Sequence, residues 1–354
     1  MKRIIYSLLI AIFCLGCSSE STQPEPILTE TLYFPPLTGE VWETKSMSDL
    51  GWKLSAVQPL LDYLNLKHSK SFIILVNGRI VMENYFNGHS ATTPWYWASA
   101  GKTLTSTLTG IAQQEGLINI NNKVSDYIGT SWTSETLAQE NLITCKHLLT
   151  MTSGLDDTTD DVTPSKLIYK ADAGTRWAYH NVYVKLQDVI ANASGQTWPN
   201  YFNSKLRDKI GMSGSWIQDN NNNVYWSTTR SMARFGLLIY NKGKWENTTI
   251  LNETYFNEAT NTSQNINLGY GYLWWLNGKA SYHLPQSQLQ LNGSIIPSGP
   301  NDMFMALGKN DQKIYVIPSK KMVVIRMGDA ADNVNLALSD FDEVLWEKIS
   351  ALYQ

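Results

Sequence analysis

The chain has 354 residues, 43% of them hydrophobic, and its formal net charge at pH 7 is −3 with a pI near 6.0. A chain of this length can bury a large core, as one big domain or as two lobes. The slightly acidic balance provides no basic surface for phosphate backbones, so nucleic acid is excluded as an expected partner. The 13 Trp and 18 Tyr residues are typical of aromatic-lined clefts or of a large mixed core.

The N-terminus has the pattern of an export signal. Lys2 and Arg3 precede an apolar run over residues 4–15, which is too short to span a bilayer stably. The run ends in Leu-Gly-Cys with the cysteine at position 17, which resembles the lipobox of bacterial lipoproteins. The resemblance implies cleavage before Cys17, lipid attachment to its sulfur, and a lipid-anchored protein of the cell envelope (periplasm or outer membrane). The alternatives are an ordinary secretory signal and an uncleaved anchor.

The segment after this signal is predicted to be a tether. Residues 18–40 are rich in Ser, Thr, Pro and Glu and poor in large apolar residues, so we expect the folded domain to begin near residue 41. Processing would leave Cys145 as the one unmodified cysteine, and no intramolecular disulfide is expected. Cys145 is interpreted as a small buried apolar residue rather than a nucleophile.

The folded part begins and ends with mixed helix and strand patterns. Residues 55–68 have apolar positions at helical spacing, and Asn77-Gly78 between two apolar runs predicts a β-hairpin. A further helix is predicted over 103–117. Later helices are predicted at 146–152, 228–240 and 335–353, and later strands at 303–307, 313–317 and 322–327.

This order of elements predicts an α+β fold. Strands at both ends of the chain are expected to form one antiparallel sheet, flanked by the terminal helices. The α/β lobe is predicted over about 41–118 and 266–354, with an inserted all-α lobe over about 119–265. The start of the 103–117 helix would lie where the two lobes meet, a common place for a binding cleft.

Ser99 and Lys102 form the only Ser-x-x-Lys in the sequence, directly before the 103–117 helix. Residues three apart share a helix face, so the Lys102 ammonium is expected about one turn from the serine oxygen. A serine hydroxyl is a weak nucleophile until a neighbour accepts its proton, and lysine can do so when burial lowers its pKa from about 10.4. By itself, the pair is more simply explained by a serine helix cap and a solvated lysine.

A second pair of polar residues, Tyr179 and Asn181, flanks His180 in a turn before another helical run. The functional interpretation places the phenol and the amide in the cleft. A nearby ammonium would then lower the pKa of Tyr179, which could accept the serine proton. The alternative is a helix cap at Asn181 and a core aromatic at Tyr179. His180 is predicted either to line the cleft or to have a packing or solvated role.

Several motifs in the same order resemble the β-lactamase-related serine hydrolases, a family of class C β-lactamases, DD-peptidases and related esterases and amidases. These motifs are Ser99-x-x-Lys102, residues 148–155, Ala173-Gly174, Tyr179-x-Asn181 and residues 269–275. The resemblance implies a β-lactamase/penicillin-binding-protein-like fold and an acyl-enzyme on Ser99. It further implies that Lys102 and Tyr179 move the proton while Asn181 orients them and the substrate. No cofactor is expected, and the histidines lack metal-ligand spacing.

The family's third motif, a Lys or His followed by a small residue and Gly, is altered here. Its best counterpart is Ala306-Leu307-Gly308, followed by Lys309. Gly308 fits a close backbone approach, but Ala306 lacks the charge that binds a substrate carboxylate, which disfavours penicillin hydrolysis and peptidoglycan trimming. The resemblance implies an oxyanion site built from the Ser99 N–H and a sheet-edge N–H, for which Lys309 is the candidate. The following stretch resembles the branch with 6-aminohexanoate-oligomer hydrolases and small-ester esterases.

The sequence therefore predicts an exported serine hydrolase that cleaves an ester or amide bond in a small molecule. The alternatives are a penicillin-recognising β-lactamase or DD-peptidase, and a non-catalytic binding or sensor protein on the same fold. Trp97 is a candidate wall of the substrate cleft, as are four other tryptophans, although core packing explains all of them equally well. The others are Trp95, Trp177, Trp274 and Trp275.

Overall fold

A six-stranded antiparallel sheet lies at the centre of the computed structural model, which describes residues 30–219, 222–332 and 338–354. The strands are β1 Ser69–Val76, β2 Arg79–Tyr85, β3 Trp95–Tyr96, β4 Ser215–Asp219, β5 Asn222–Ser227, β6 Lys244–Trp245, β7 Thr248–Thr249, β8 Trp275–Leu276, β9 Ser281–His283, β10 Gln290–Asn292, β11 Phe304–Gly308, β12 Gln312–Ile317 and β13 Met322–Gly328. The strand order of the central sheet is β2-β1-β13-β12-β11-β8.

The helices pack on this sheet or on one another. They are α1 Val57–Leu66, α2 Lys102–Gln114, α3 Ser125–Ile128, α4 Leu137–Glu140, α5 Cys145–Leu149, α6 Lys185–Ser194, α7 Trp198–Phe202, α8 Thr229–Tyr240, α9 Glu253–Ala259 and α10 Phe341–Tyr353. Within the described residues, no helix is both long enough and apolar enough to cross a membrane.

The two ends of the chain share the central sheet, as the sequence predicts. β1 pairs with β13 in antiparallel register from Ser69 opposite Gly328 to Val76 opposite Met322. The predicted hairpin joins β1 to β2 through Asn77 and Gly78, whose φ angles are 49° and 83°. Positive φ at both turn residues is what a tight hairpin with the twist of its strands requires. The antiparallel sheet flanked by terminal helices is therefore confirmed.

Helix packing encloses the sheet and the segment after Ser99. α1 and α10, the terminal helices, meet through Tyr63 and Phe341, whose rings stack with centroids 5.6 Å apart. α8 packs on β12 and β13. A Cβ at Gly236 of α8 would lie 2.5 Å from a Val323 methyl, so only glycine lets this helix approach the sheet so closely. α2 is buried from Lys102 to Ala112, because neighbouring elements enclose it.

The segment predicted as an all-α lobe also contains strands. β4 and β5 form a hairpin inside residues 119–265, and β3 joins them in a three-stranded sheet; β6 and β7 form a second small hairpin. These strands are too short or too irregular in their apolar alternation to be distinguished from loops by pattern alone. The predicted helix 146–152 is shorter, since α5 ends at Leu149.

The folded unit begins earlier than residue 41 and comprises Leu32–Gln354. The Tyr33 N–H donates to the Asn77 carbonyl at 3.1 Å, and the Arg234 guanidinium donates to the Pro36 carbonyl at 2.6 Å. These bonds fix the last part of the predicted tether to the domain. The export signal, Cys17 and the tether up to residue 29 lie outside the described residues.

Two further predictions concern the C-terminal helix and Cys145. The helix predicted over 335–353 is observed as α10, which begins at Phe341; residues 335–337 lie outside the described part of the chain. Cys145 is a buried free thiol, and burial raises its pKa to about 12, which keeps it protonated and unreactive at neutral pH. Its interpretation as a buried apolar residue is confirmed.

Candidate active site

Ser99 lies in a tight turn immediately before the buried helix α2. Residues Ala98–Gly101 form a single 3₁₀ turn, and α2 begins at Lys102. Ala98 has a φ of 46°, a left-handed conformation that costs a non-glycine residue about 1–2 kcal/mol. Such strain persists only where the surrounding structure holds it, and it is common beside reactive side chains. The sequence thus predicts the helix correctly, with Ser99 in the turn that precedes it.

Lys102 contacts the serine directly. Its Nζ lies 2.7 Å from the Ser99 Oγ and 3.0 Å from the Asn181 Oδ1. The side chain passes between two aromatic rings, with Nζ 5.1 Å from the Tyr179 centroid and 4.5 Å from the Tyr183 centroid. Lys102 is only 2% exposed, so little water reaches its amine. Lys102 thus lies one turn from the Ser99 hydroxyl, as its spacing in the sequence predicts.

Burial lowers the pKa of Lys102 to about 7, and the charge of Asp160 acts in the opposite direction. The cause is desolvation, since a charged ammonium loses hydration that its neighbours do not replace. Close to pH 7, a large fraction of Lys102 is therefore a neutral amine with a free lone pair. In that form Nζ can accept the Ser99 hydroxyl proton, whereas the ammonium form can only donate.

Tyr179 does not have the lowered pKa that the sequence predicts. Burial raises its pKa to about 12, and the nearby Ser99 and Trp275 side chains lower it only in part. The hydroxyl makes no hydrogen bond of good geometry to any residue that the structure describes. No hydrogen bond joins the Lys102 amine to the phenol oxygen, and Lys102 does not contribute to lowering the pKa of Tyr179. Tyr179 is therefore a protonated phenol beside Ser99.

Asn181 connects the site to a loop that carries no sequence motif. It accepts a hydrogen bond from Lys102 and donates through Nδ2 to the Asp160 Oδ1 at 3.2 Å. His180 lies between Tyr179 and Asn181, and its Nδ1 accepts the Val182 N–H at 3.2 Å. Burial lowers the pKa of His180, so its ring is neutral near pH 7. Asp160 is a site residue that sequence reasoning missed.

These side chains line a cavity of about 730 Å³. Apolar and aromatic groups form much of its wall, and the charged ones are few. Its lining residues are Tyr96, Ala98, Ser99, Lys102, Asp160, Tyr179, His180, Asn181, Tyr183, Ile217, Gln218, Asn222, Val224, Trp226, Pro285, Gln286 and Lys309. Ser99, Lys102, Tyr179, Asn181 and Lys309 are thus brought together as predicted.

The tryptophan at the cavity wall is not the predicted one. Trp97 is fully buried, and its indole N–H donates to the Ser227 Oγ at 2.8 Å, so it supports the Ser99 turn from the core. Trp177, Trp274 and Trp275 are also buried. Trp226 lines the cavity instead, because it lies on β5 next to Tyr96 of β3. Strand pairing between distant segments determines this position, and no local pattern in the sequence signals it.

Gly308 brings the sheet against the Ser99 turn. A Cβ at this position would lie 2.6 Å from the Trp97 carbonyl oxygen and 2.9 Å from the Ala100 backbone nitrogen. The predicted close approach of the two backbones is therefore observed, and it explains why glycine occupies position 308. The next residue, Lys309, lies at the cavity with an exposed side chain, and Ala306 is buried in β11. Among the described residues, no group of three or more His, Cys, Asp or Glu side chains could hold a metal ion.

The arrangement defines a nucleophile with a neutral lysine and a neutral phenol in one partly apolar cavity, on a sheet-and-helix fold. The chain belongs to the Beta-lactamase family, whose family model matches residues 68–338. Hydrolases of this family are generally serine enzymes of the acyl-enzyme type. No curated protein matches the chain.

Solved structures of the same fold come from several kinds of hydrolase. A candidate 6-aminohexanoate-dimer hydrolase from Bacillus anthracis has a TM-score of 0.69 at 19% identity, with 92% of each chain covered. A beta-lactamase from Mycobacterium bovis has a TM-score of 0.59 at 17% identity, over 84% of this chain and 98% of that one. EstCE1, a hydrolase with promiscuous acyltransferase activity, has a TM-score of 0.64 at 11% identity, over 87% and 99%. At these identities the likeness concerns the fold.

Replacement of Gly308 by alanine tests the contact between the sheet and the Ser99 turn. The new Cβ would overlap the Trp97 carbonyl, so we expect Gly308→Ala to slow labelling of Ser99 by a fluorophosphonate about 10–100-fold. Gly101→Ala is the matched control, because a Cβ there meets its nearest neighbour at an ordinary 3.7 Å. Equal labelling rates in the two variants would contradict the proposed importance of this approach.

The pH dependence of labelling tests the state of Lys102. The neutral amine is the active form, so the rate should rise with pH through a midpoint near the Lys102 pKa of about 7 and then level off. Asp160→Asn removes a charge that raises this pKa, so the midpoint should move to lower pH. Asp156→Asn, whose carboxylate pairs with Lys170 on the same loop, should leave it unchanged. A midpoint above about pH 9, as for an exposed lysine, would contradict the account.

Proposed function

We propose that the protein is an exported serine hydrolase that cleaves an ester or amide bond in a small molecule through an acyl-enzyme on Ser99. The observation that carries the proposal is the 2.7 Å contact between the Lys102 Nζ and the Ser99 Oγ, in a place where burial makes the amine a competent base. A positioned base of this kind contributes about 10²–10⁴-fold to the rate.

In the proposed first step, the Ser99 Oγ forms a bond to the substrate carbonyl carbon while its proton passes to the Lys102 amine. The tetrahedral intermediate collapses when the bond to the leaving group breaks, and the leaving oxygen or nitrogen takes up a proton. Tyr179 is suited to donate this proton, since its raised pKa keeps it protonated. The proton that Lys102 took from Ser99 then returns to the phenolate through a bridging water molecule. This assigns Lys102 as the base and Tyr179 as the donor.

Hydrolysis of the acyl-enzyme uses Lys102 again as the base. Water attacks the ester carbonyl and gives a proton to the Lys102 amine, and the Ser99 oxygen leaves with a proton returned from the same group. Asn181 holds Lys102 through its Oδ1 while its Nδ2 is fixed by Asp160, so the amine stays directed at Ser99 during both half-reactions.

Two backbone N–H groups are proposed to bind the oxyanion, those of Ser99 and Lys309. The close contact of Gly308 with the Ser99 turn places the end of β11 beside the nucleophile, which supports Lys309 as the second donor. Loss of one such donor typically costs about 2.7–4 kcal/mol of barrier. Because this donor is backbone, substitution of the Lys309 side chain leaves it in place.

The cavity favours a substrate with an apolar or aromatic acyl or leaving group. Ile217, Val224 and Trp226 form one side of it, and the buried Ala306 carries no charge to bind a substrate carboxylate. The exposed Lys309 ammonium at the cavity is the one observation that favours the alternative, a penicillin-recognising enzyme, because it could contact a carboxylate. The two candidates differ in whether a penicillin acylates Ser99.

Labelling with two probes tests the proposal. Purified protein should react with a fluorescent fluorophosphonate, and Ser99→Ala should abolish the signal because the attacking oxygen is gone. A fluorescent penicillin should leave no stable adduct. A stable penicillin adduct on Ser99 would favour the penicillin-recognising alternative. Folded wild type that neither probe labels would refute the acyl-enzyme and favour a binding or sensor protein.

We also propose that the protein is anchored in the cell envelope by lipid on Cys17. The support is the Leu-Gly-Cys sequence after the apolar run at the N-terminus. Cells fed radiolabelled palmitate should incorporate it into the wild-type protein, and Cys17→Ser should abolish incorporation. Cys14→Ser, three residues earlier in the predicted signal, should still be labelled. Absence of label from all three proteins would contradict lipidation.

A further inference from the structure

The turn that carries Lys309 has an unusual backbone. Between β11 and β12 it consists of Lys309–Asp311, and Asn310 and Asp311 have φ angles of 59° and 58°. Asn and Asp tolerate the left-handed conformation better than other non-glycine residues, but they usually do so as single residues rather than as two in succession. Such a turn keeps its shape only if neighbouring groups over-determine it.

Arg326, in the middle of the sheet on β13, supplies those groups. It is fully buried, and its Nη1 donates to the carbonyls of the two left-handed residues, Asn310 at 2.9 Å and Asp311 at 3.1 Å. Its remaining N–H groups donate to the Lys67 and Asp329 carbonyls at 2.8 and 2.9 Å and to the Ser69 Oγ at 3.1 Å. All five guanidinium donors are therefore used, and all five acceptors are uncharged.

Glycine at position 328 makes room for this arrangement. A Cβ there would lie 2.5 Å from the Arg326 Cζ, so any larger residue would push the guanidinium aside. Gln312 supports the same turn, because its Nε2 donates to the Asn310 carbonyl at 2.8 Å and to the Gly328 carbonyl at 2.6 Å. The Arg326 and Gln312 side chains thus both donate to the Asn310 carbonyl.

A buried set of charges continues from the turn to the C-terminal helix. The Asp311 carboxylate accepts hydrogen bonds from the Ala331 N–H at 3.0 Å and the Ser339 hydroxyl at 2.8 Å. Lys313 lies 3.2 Å from Asp311 and 2.8 Å from Asp342 of α10. With Arg326, the set contains two cations and two anions, so the buried charge is balanced. Breaking a buried pair is costly, which makes the set rigid.

The turn is also tied to the segment before Ser99. The Asn310 Nδ2 donates to the Tyr96 hydroxyl at 2.6 Å, and Gly308 abuts the Trp97 carbonyl. Lys309 lies between these two contacts. Its backbone N–H belongs to the peptide between Gly308 and Lys309, so a shift of the turn that follows would move this N–H relative to Ser99.

We propose that Arg326 is a positioning residue for catalysis: by binding the carbonyls of Asn310 and Asp311, it holds the Lys309 N–H where the oxyanion forms. This role rests on the proposed acyl-enzyme function and belongs to a residue that never touches the substrate. Arg326→Lys keeps the buried charge but offers three donors from one point instead of a planar fork of five. The turn should then relax, and the N–H should leave the oxyanion position.

The test compares Arg326→Lys with wild type in three measurements on the full chain. For a chromogenic ester that wild type hydrolyses, kcat should fall about 100–1,000-fold with little change in KM, because the lost contact belongs to the transition state. Affinity for a trifluoromethyl ketone, which forms a tetrahedral oxyanion on Ser99, should fall by a similar factor. The pH midpoint of fluorophosphonate labelling should stay at its wild-type value, since the surroundings of Lys102 are intact.

Arg234→Lys is the matched control. Arg234 on α8 is also buried and also donates to backbone carbonyls, at Ile210, Pro35 and Pro36, none of which lines the cavity. It should lose thermal stability as Arg326→Lys does while keeping kcat and ketone affinity. Equal losses of kcat in both variants, or unchanged ketone affinity in a folded Arg326→Lys, would overturn the positioning role.

The proposal and the proposed function fail in different ways. Wild type that no fluorophosphonate labels would overturn both, whereas labelled wild type with the equal losses just described overturns only the role of Arg326. If Arg326→Lys does not fold, Gln312→Met tests the same turn, because it removes a donor to the Asn310 carbonyl without adding charge. It should reduce kcat and ketone affinity together, and unchanged values of both would overturn the proposal.

Discussion

The contact between the Lys102 amine and the Ser99 hydroxyl is the interaction on which the rest of the site depends. It is productive only if the amine is neutral, and the amine is neutral only because the lysine is buried without a carboxylate in direct contact. Asp160 acts from one residue further away, through Asn181, and so raises the pKa of Lys102 without trapping its proton. A carboxylate in direct contact would restore the ammonium and remove the base.

The fold supplies this environment from two directions. Helix α2 is buried along most of its length and presents Lys102 from below the turn that carries Ser99. The central sheet approaches from the other side. The backbone of Gly308 packs directly against the backbone of the Ser99 turn, and any side chain at position 308 would prevent this contact. The site therefore combines the turn that carries Ser99 with the end of β11, two segments that lie far apart in the sequence.

Local patterns in the sequence predict much of this structure, and contacts between distant segments explain what they miss. Three features were predictable because they depend on residue spacing or on backbone freedom within a short stretch of sequence. These are the hairpin, the helix after Ser99 and the glycine at position 308. The pKa of Tyr179 depends on which atoms surround its hydroxyl, so the expected shift has the wrong direction. Trp97 faces the core and Trp226 the cavity because strands far apart in the sequence pair with each other.

We propose that Ser99, activated by Lys102, forms an adduct whose oxygen binds the backbone N–H groups of Ser99 and Lys309. The most direct measurement is a crystal structure of the full chain after reaction with a fluorophosphonate. The account predicts phosphorus bonded to the Ser99 Oγ, with its oxygen within about 3.1 Å of the backbone nitrogens of both Ser99 and Lys309. An adduct on another residue, or a phosphoryl oxygen directed away from Lys309, would contradict it.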